Sequence, residues 1–152
     1  MKVLILCTGN SCRSQMAHGF LESFDKDDKM LTVCSAGTQA TGSLNMGAVK
    51  TMAEVGVDIS HHTSDSVDKY LDQTWDYVIT VCGGAKESCP EFPNRVLCRL
   101  HFEFEDPSHA KGTPEFIENE FRRIRDQIKD RFDHFYRKDV KWEPSCSCGC
   151  CG

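Results

Sequence analysis

Short apolar runs alternate with longer amphipathic stretches along this chain, and the alternation predicts an α/β fold of the doubly wound class. Apolar runs of strand length occur four times, and the stretches that follow them repeat their apolar residues with helical spacing. Strands joined through helices run parallel and are covered on both faces. The sequence therefore predicts three layers, in which a four-stranded parallel sheet has helices on both faces.

The predicted strands lie at residues 2–6, 30–34, 77–81 and 95–100. The first contains the uninterrupted apolar run 3–6, which is typical of a buried strand. Ligands of such sheets bind beyond the carboxyl ends of the strands. Cys7, Cys82 and the loop around Asp106 each follow a strand or a strand-like run, so we expect one edge of the sheet to gather them.

Three predicted helices have a clear apolar stripe. After the first strand the stripe is Met16, Ala17, Phe20, Leu21 and Phe24. After the second it is Leu44, Ala48, Met52 and Val55, and Gly56 is placed to end the helix. Thr113-Pro114 opens the longest helix, with a cap followed by proline at the first helical position. Its stripe is Ile117, Phe121, Ile124, Ile128, Phe132 and Phe135. A shorter helix, capped by Ser64, carries Val67, Tyr70 and Leu71.

Length and composition restrict the class of protein. A chain of 152 residues fits one domain with a hydrophobic core. The net charge of −5 argues against nucleic acid as a partner. Without a membrane-spanning apolar run or a signal-peptide layout, we expect a cytoplasmic protein. We also expect a monomer that has no cofactor. Ten cysteines in such a protein indicate catalytic or metal-linked thiols rather than a disulfide scaffold.

Residues 7–14, Cys-Thr-Gly-Asn-Ser-Cys-Arg-Ser, join the first strand to the first helix. Loop amides and a helix N-terminus favour negative charge, and the planar fork of Arg13 can bind two oxygens of a tetrahedral anion. The same positive potential is expected to hold Cys7 as a thiolate. The pattern predicts a nucleophile beside a bound phosphorus or arsenic oxyanion. The oxyanion would be bound by Thr8, Gly9, Asn10, Ser11, Cys12, Arg13 and Ser14.

This opening segment, together with Gln15, Met16 and Ala17, resembles the start of the arsenate reductases built on the low-molecular-weight protein tyrosine phosphatase fold. Further segments that resemble this family lie at residues 35–38, 54–60, 62–65, 81–82, 89–90 and 104–107. The resemblance covers residues 2–137. It implies a catalytic domain at 1–141. The composition of residues 142–152, on which the resemblance says nothing, indicates a cysteine-rich tail.

The resemblance also implies a reaction. Cys7 attacks arsenate, Asp106 donates a proton to the departing oxygen, and Cys82 attacks Cys7 so that arsenite leaves. Cys89 then attacks Cys82, and thioredoxin reduces the resulting disulfide. Glutaredoxin with glutathione is the alternative reductant. Phosphate and sulfate are analogues of arsenate at such a site.

Metal binding is predicted only weakly. Some relatives bind a monovalent cation near residues that match Asn10, Ser35 and Asp65, but His18 stands here in place of the family's glutamate. The other histidines show no metal-ligand spacing. The tail clusters four cysteines that suit a soft metal or arsenite: Cys146, Cys148, Cys150 and Cys151.

Two other functions remain open from the residues alone. A low-molecular-weight protein tyrosine phosphatase would use Cys7, Arg13 and Asp106 and would need neither Cys82 nor Cys89. A thiol-rich metalloid-binding protein would depend on the tail instead. Arsenate-dependent turnover with a thiol reductant distinguishes both from an arsenate reductase.

Overall fold

A four-stranded parallel sheet with helices packed against it forms the protein, in a computed structural model that describes residues 1–141. The strands are β1 (Lys2–Cys7), β2 (Thr32–Gly37), β3 (Trp75–Thr80) and β4 (Val96–His101). Their order in the sheet is β2-β1-β3-β4, and each neighbouring pair is parallel. The predicted fold class is confirmed.

The helices are α1 (Arg13–Phe24), α2 (Met46–Glu54), α3 (Gly83–Ser88) and α4 (Pro114–Phe135). Short 3₁₀ turns occupy Val67–Tyr70 and Pro107–His109, and a π-helical turn, Tyr136–Val140, follows α4. As predicted, Thr113 caps α4 by accepting a hydrogen bond from the Phe116 amide. In the described part of the chain, no helix is both long and apolar enough to span a membrane.

The core lies on both sides of β1. Val3, Leu4, Ile5 and Leu6 are all completely buried, and successive side chains of a strand point to opposite faces. Both faces of the central strand are therefore covered, as a doubly wound sheet requires. The predicted stripe of α4 is buried from Phe121 to Phe135, whereas Ile117 is only partly buried.

The short helix predicted after Ser64 is only a 3₁₀ turn at Val67–Tyr70, and Ser66 caps it instead of Ser64. Two further elements differ from the sequence-based prediction. Strand β2 extends to Gly37 instead of ending at residue 34, because Ser35, Ala36 and Gly37 pair with the last three residues of β1. Helix α3 was not predicted, since it begins with two glycines and is only six residues long. Both differences concern the site, because β2 and α3 lie beside the loop that follows Cys7.

Candidate active site

Four of the five predicted catalytic residues, all except Cys89, lie at the carboxyl edge of the sheet. Cys7 is the last residue of β1, Cys82 follows β3, and Asp106 follows β4. The loop after Cys7 surrounds a cavity of about 320 Å³. The cavity is lined by Cys7, Thr8, Gly9, Ser11, Cys12, Arg13, Thr41, Asp106, Ser108 and His109. The structure thus brings the predicted nucleophile, arginine and carboxylate to one cavity.

Amides of the segment that follows β2 donate hydrogen bonds to carbonyl groups of the loop after Cys7 and hold it in place. The Cys7 and Thr8 carbonyls accept hydrogen bonds from the amides of Thr38 and Gln39, and the Ser11 carbonyl accepts one from Asn45. In a trans peptide the following N–H points away from the carbonyl. Outward carbonyls therefore turn the amides of the loop inward, as binding of an oxyanion requires.

Close approach of β2 to this loop requires glycine at position 37. A Cβ added to Gly37 would lie 2.5 Å from the Thr8 carbonyl oxygen and 3.0 Å from the Asn10 nitrogen. Because those contacts are with backbone atoms, a side chain would push the loop away from the sheet. The sequence Ser-Ala-Gly at 35–37 therefore helps to shape the anion site without itself contacting the anion.

Asn10 fixes the loop from inside. It is completely buried and adopts a φ of 49°, a left-handed conformation that asparagine tolerates better than most residues. Its Nδ2 donates to Ser14 Oγ at 2.8 Å, and its Oδ1 accepts from the Asp65 amide at 2.9 Å. Gln15 Nε2 donates to the Asn10 carbonyl at 3.0 Å. Asn10 therefore acts on the loop through three hydrogen bonds.

Arg13 starts α1 and points along the cavity wall. Its Nη1 donates to the Phe104 carbonyl at 3.0 Å, and its Nη2 lies 3.4 Å from Asp106 Oδ2. Among the described residues its Nε is buried without a hydrogen-bond partner. Leaving such a donor unsatisfied costs about 1–3 kcal/mol. A tetrahedral oxyanion in the cavity can satisfy it.

The second thiol lies directly beside the first. Cys7 Sγ donates to Cys82 Sγ at 3.7 Å. Thr8 Oγ1 lies 3.4 Å from Cys82 Sγ, and the Ala85 amide at the start of α3 donates to the same sulfur at 3.4 Å. Cys82 is thus surrounded by donors.

The two thiols are coupled through the hydrogen bond that joins their sulfurs. The hydrogen bond from Cys7, with those from Thr8 and Ala85, lowers the pKa of Cys82 to about 5. The hydrogen bond to Cys82 and burial raise the pKa of Cys7, and the nearby Arg13 guanidinium only partly offsets them. The pair therefore shares one proton between its two sulfurs, and a thiolate on Cys7 stays a prediction. The motif at 7–14 does not contain the neighbouring sulfur that shares this proton.

Asp106 lies at the opening of the cavity. Its Oδ1 accepts hydrogen bonds from the Ser108 amide at 2.9 Å and the Ser108 hydroxyl at 2.6 Å. Its Oδ2 faces Arg13 and lies 3.5 Å from His109 Nε2. Burial raises the pKa of Asp106, but the Ser108 hydrogen bonds and the Arg13 charge outweigh burial and the net pKa is lowered. Asp106 is therefore a carboxylate here and must take up a proton before it can donate one.

Similarity to known proteins extends over most of the chain. The model of the family described as low molecular weight phosphotyrosine protein phosphatase matches residues 2–145. The chain belongs to this family. At the site described above, a second cysteine lies within hydrogen-bonding distance of the cysteine that ends β1.

The proteins to which the chain is similar include arsenate reductases and a phosphatase. An arsenate reductase from Halalkalibacterium halodurans is 47% identical over 133 residues, which cover 88% of this chain and 93% of the relative. A structure described as an arsenate reductase in oxidized state is 31% identical with a TM-score of 0.75, covering 90% of this chain and 97% of that one. The low molecular weight protein tyrosine phosphatase from T. tengcongensis is 25% identical with a TM-score of 0.76, covering 91% and 99% of the two chains.

Cys89 is not close enough to join Cys82 in this arrangement. It follows α3, and its sulfur donates to the Pro90 carbonyl at 3.6 Å. Seven helical steps separate the Cα atoms of Cys82 and Cys89 by roughly 10 Å, whereas a disulfide requires about 7 Å or less. Burial raises the pKa of Cys89, against a lowering effect of Arg99. Any Cys82–Cys89 disulfide in this phosphatase-family chain requires α3 to unwind.

The remaining predicted residues have other partners. Burial raises the pKa of Cys12 to about 12, which makes it a poor nucleophile. Of the predicted monovalent-cation ligands, Asn10 Oδ1 is bonded to the Asp65 amide, and Ser35 Oγ lies 2.9 Å from His18 Nδ1. Asp65 Oδ2 accepts from Thr63. Each of these three side-chain oxygens thus already has a protein partner. The tail cysteines lie outside the described residues.

Proposed function

We propose that this protein reduces arsenate to arsenite, with Cys7 as nucleophile and Cys82 as the second thiol. The observation that carries the proposal is the distance of 3.7 Å between the two sulfurs at the anion cavity. A phosphatase needs one cysteine, whereas reduction of arsenate needs two electrons, which one disulfide supplies. The similarity to arsenate reductases, at 47% identity over most of both chains, supports the same reaction.

The first step forms a bond between Cys7 and arsenic. The loop amides and Arg13 hold the oxyanion against the sulfur. As Cys7 attacks, its proton moves along the existing hydrogen bond to Cys82, which therefore serves as the neighbouring base. Asp106 first takes up a proton from solvent and then delivers it to the departing oxygen, which leaves as water.

The second step reduces arsenic. Cys82, after losing its proton, attacks the Cys7 sulfur, and the electron pair of the S–As bond stays on arsenic. A Cys7–Cys82 disulfide and arsenite result. In sum, dihydrogen arsenate, one thiol, one thiolate and two protons give arsenous acid, one disulfide and one water, so that atoms and electrons balance.

The third step moves the disulfide away from the anion cavity. The Cys89 thiolate attacks Cys82, Cys7 is released as a thiolate, and a Cys82–Cys89 disulfide remains. Cys89 lines a separate cavity of about 610 Å³ with Lys86, Phe92 and Arg99, where a reducing partner can reach it. Thioredoxin, a dithiol protein, is the proposed reductant, and this chain is proposed to act as a monomer.

A reductant-free single turnover tests the proposal. The fully reduced protein is mixed with arsenate after free thiols have been removed, and arsenite is measured. We expect about one arsenite per protein together with the loss of two thiols, as the electron balance requires. Steady NADPH oxidation with thioredoxin and its reductase, dependent on arsenate, would extend the result to repeated turnover. Absence of arsenite from the single turnover would contradict the proposal.

Protein tyrosine phosphatase activity is the second candidate. Cys7, Arg13 and Asp106 alone suffice for it, and the chain is 25% identical to a low molecular weight protein tyrosine phosphatase over most of both chains. Hydrolysis of p-nitrophenyl phosphate measures this activity. Phosphate release that greatly exceeds arsenate reduction in rate would favour the phosphatase as the main function.

A further inference from the structure

Three metal-ligating side chains converge on the opposite side of α1 from the catalytic arginine. His18 and Glu22 lie one helical turn apart on α1, and His62 comes from the loop after α2. Glu22 Oε1 lies 3.2 Å from His62 Nε2 and 3.5 Å from His18 Nε2. One ligand atom of each residue falls within 4.8 Å of the others. The cluster borders a cavity of about 250 Å³.

The hydrogen bonds of His62 determine which of its nitrogens carries hydrogen. Gln15 Nε2 donates to the carbonyls of Asn10 and Thr63, which fixes the orientation of the Gln15 amide. Gln15 Oε1 therefore faces His62 Nδ1 at 3.0 Å, so that Nδ1 must be the donor. In the neutral ring, Nε2 then presents a lone pair to the Glu22 carboxylate. Two acceptors 3.2 Å apart require a cation between them, either a proton or a metal ion.

The packing of the two rings disfavours two protons and leaves a metal ion or a single proton as the cation between the ligands. The imidazoles of His18 and His62 are stacked, with centroids 4.3 Å apart. Two imidazolium ions at this distance would repel each other, whereas a single divalent ion lets both rings stay neutral. The second nitrogen of each ring is already held, by Ser35 for His18 and by Gln15 for His62. Such outer partners commonly orient metal-ligating histidines.

From this geometry we propose that His18, Glu22 and His62 form a binding site for a divalent transition-metal ion, with Zn²⁺ as the best-suited probe. Two imidazole nitrogens and one carboxylate are a ligand set that Zn²⁺ accepts, and water in the adjacent cavity completes its coordination. The charged groups Asp65 and Lys69 also line this cavity, where they lie 3.7 Å apart and largely balance each other.

Binding at this site is connected to the anion loop. His62 is bonded to Gln15, and Gln15 is bonded to the Asn10 carbonyl of the loop. Gln15 and Asn10 are both completely buried, so a change at His62 has few ways to relax except through this chain of contacts. We therefore expect the metal ion to stabilise the loop in its anion-binding conformation.

Zn²⁺ titration of the reduced full-length protein, followed by ¹H–¹⁵N NMR of the imidazole rings, tests the site. Thiolates also bind Zn²⁺, so total binding does not identify the ligands, whereas the imidazole spectrum reports each histidine. We expect the Nε2 signals of His18 and His62 to shift together. The signals of His101, His109 and His134 should not change with them.

Substitutions separate a metal site from a simple ion pair. Loss of a group that only hydrogen-bonds to a metal ligand costs about 10–100-fold in metal affinity. Glu22→Gln removes a ligand itself, so the Zn²⁺ affinity reported by the His62 signal should fall at least about tenfold. His18→Gln should have a similar effect, whereas His134→Gln, an exposed residue of α4, is the matched control. Thermal melting by circular dichroism verifies that each variant is folded. If His18→Gln unfolds, Glu22→Gln still tests the site, because the Glu22 side chain is half-exposed. Unchanged His18 and His62 signals at Zn²⁺ concentrations that saturate the thiols would show an ion pair only and overturn the proposal.

Discussion

The Cys82 sulfur accepts a hydrogen bond from the Cys7 sulfur at 3.7 Å, so the two thiols that act in succession share one proton. The arrangement prepares the proton transfer of the first step, because the base already contacts the nucleophile. It also places the attacking sulfur of the second step next to its target. The two residues come from different strands, and only the parallel pairing of β1 with β3 brings them together.

The pH dependence of Cys82 reactivity follows from this relationship. Its pKa is lowered to about 5, first by the hydrogen bond from Cys7, so Cys82 should react with iodoacetamide down to about pH 5. Cys7→Ala removes that donor, and the pKa should rise toward the ordinary value of 9.0. Site-resolved alkylation by mass spectrometry measures the shift, with Cys98→Ala as control. An unchanged midpoint in Cys7→Ala would show that the two sulfurs do not share a proton.

Arg13→Lys should be severe although it retains the positive charge. Lysine lacks the planar fork, and only the guanidinium has an Nε that is buried without a partner. Removal of one preorganised donor at an oxyanion typically costs about 10²–10³-fold in rate. Single-turnover arsenite formation measures the loss, and Arg137→Lys at an exposed ion pair serves as control. Rates within a fewfold of the wild type would mean that Arg13 does not hold the oxyanion.

Asp106→Asn should slow the first step and leave the fold intact. The amide keeps an oxygen that can accept from Ser108, so the 3₁₀ turn at Pro107–His109 is retained. General-acid catalysis typically contributes about 10²–10⁴-fold, and the variant should lose an amount in this range. Asp72→Asn, at an exposed position, is the control. If arsenite forms at the wild-type rate, Asp106 serves only to shape the turn.

The sheet could be predicted because buried strands need apolar runs, and Val3–Leu6 is such a run in full. The end of β2 could not be predicted, since pairing with β1 holds Ser35, Ala36 and Gly37 in the strand rather than their own hydrophobicity. Helix α3 was not predicted for a similar reason. Its glycines have low helix propensity, and Cys82 stabilises the first turn by accepting from the Ala85 amide.

At the site, the motif from Cys7 to Ser14 predicted most of the loop residues that line the cavity, because its spacing follows from a strand, a loop and a helix. Asn10 and Ser14 are instead completely buried and do not line it. Three further lining residues were not predicted: Thr41, Ser108 and His109. The charge distribution between Cys7 and Cys82 depends on a contact across 75 residues and could not be predicted from that motif. The convergence of His62 with His18 and Glu22 was also missed. The only signal for it was the spacing of His18 and Glu22 by one helical turn.

Cys89→Ser should separate the first two steps from the third. Cys7 and Cys82 remain in contact, so one arsenite per protein should still form, but the Cys7–Cys82 disulfide stays buried beside the anion cavity. Repeated turnover with thioredoxin should therefore fall to background. Cys98→Ser, a half-buried cysteine of β4, is the matched control. Sustained turnover by Cys89→Ser with thioredoxin as sole reductant would contradict the proposed transfer to Cys89.

Gly83→Ala tests whether α3 must unwind for that transfer. A Cβ at Gly83 would meet only the Glu103 carboxylate, at 3.6 Å, whereas one at Gly84 would lie 2.8 Å from Thr8 Oγ1 and disturb the site. Alanine in place of glycine stabilises a helix by roughly 0.5–1 kcal/mol, which corresponds to about a two- to fivefold smaller unwound population. Formation of the Cys82–Cys89 disulfide should slow by that factor, while arsenite release in the single turnover stays unchanged. Quenching with an alkylating agent and peptide mapping follow both reactions in one sample, and an unaltered rate of disulfide transfer would mean that unwinding of α3 does not limit it.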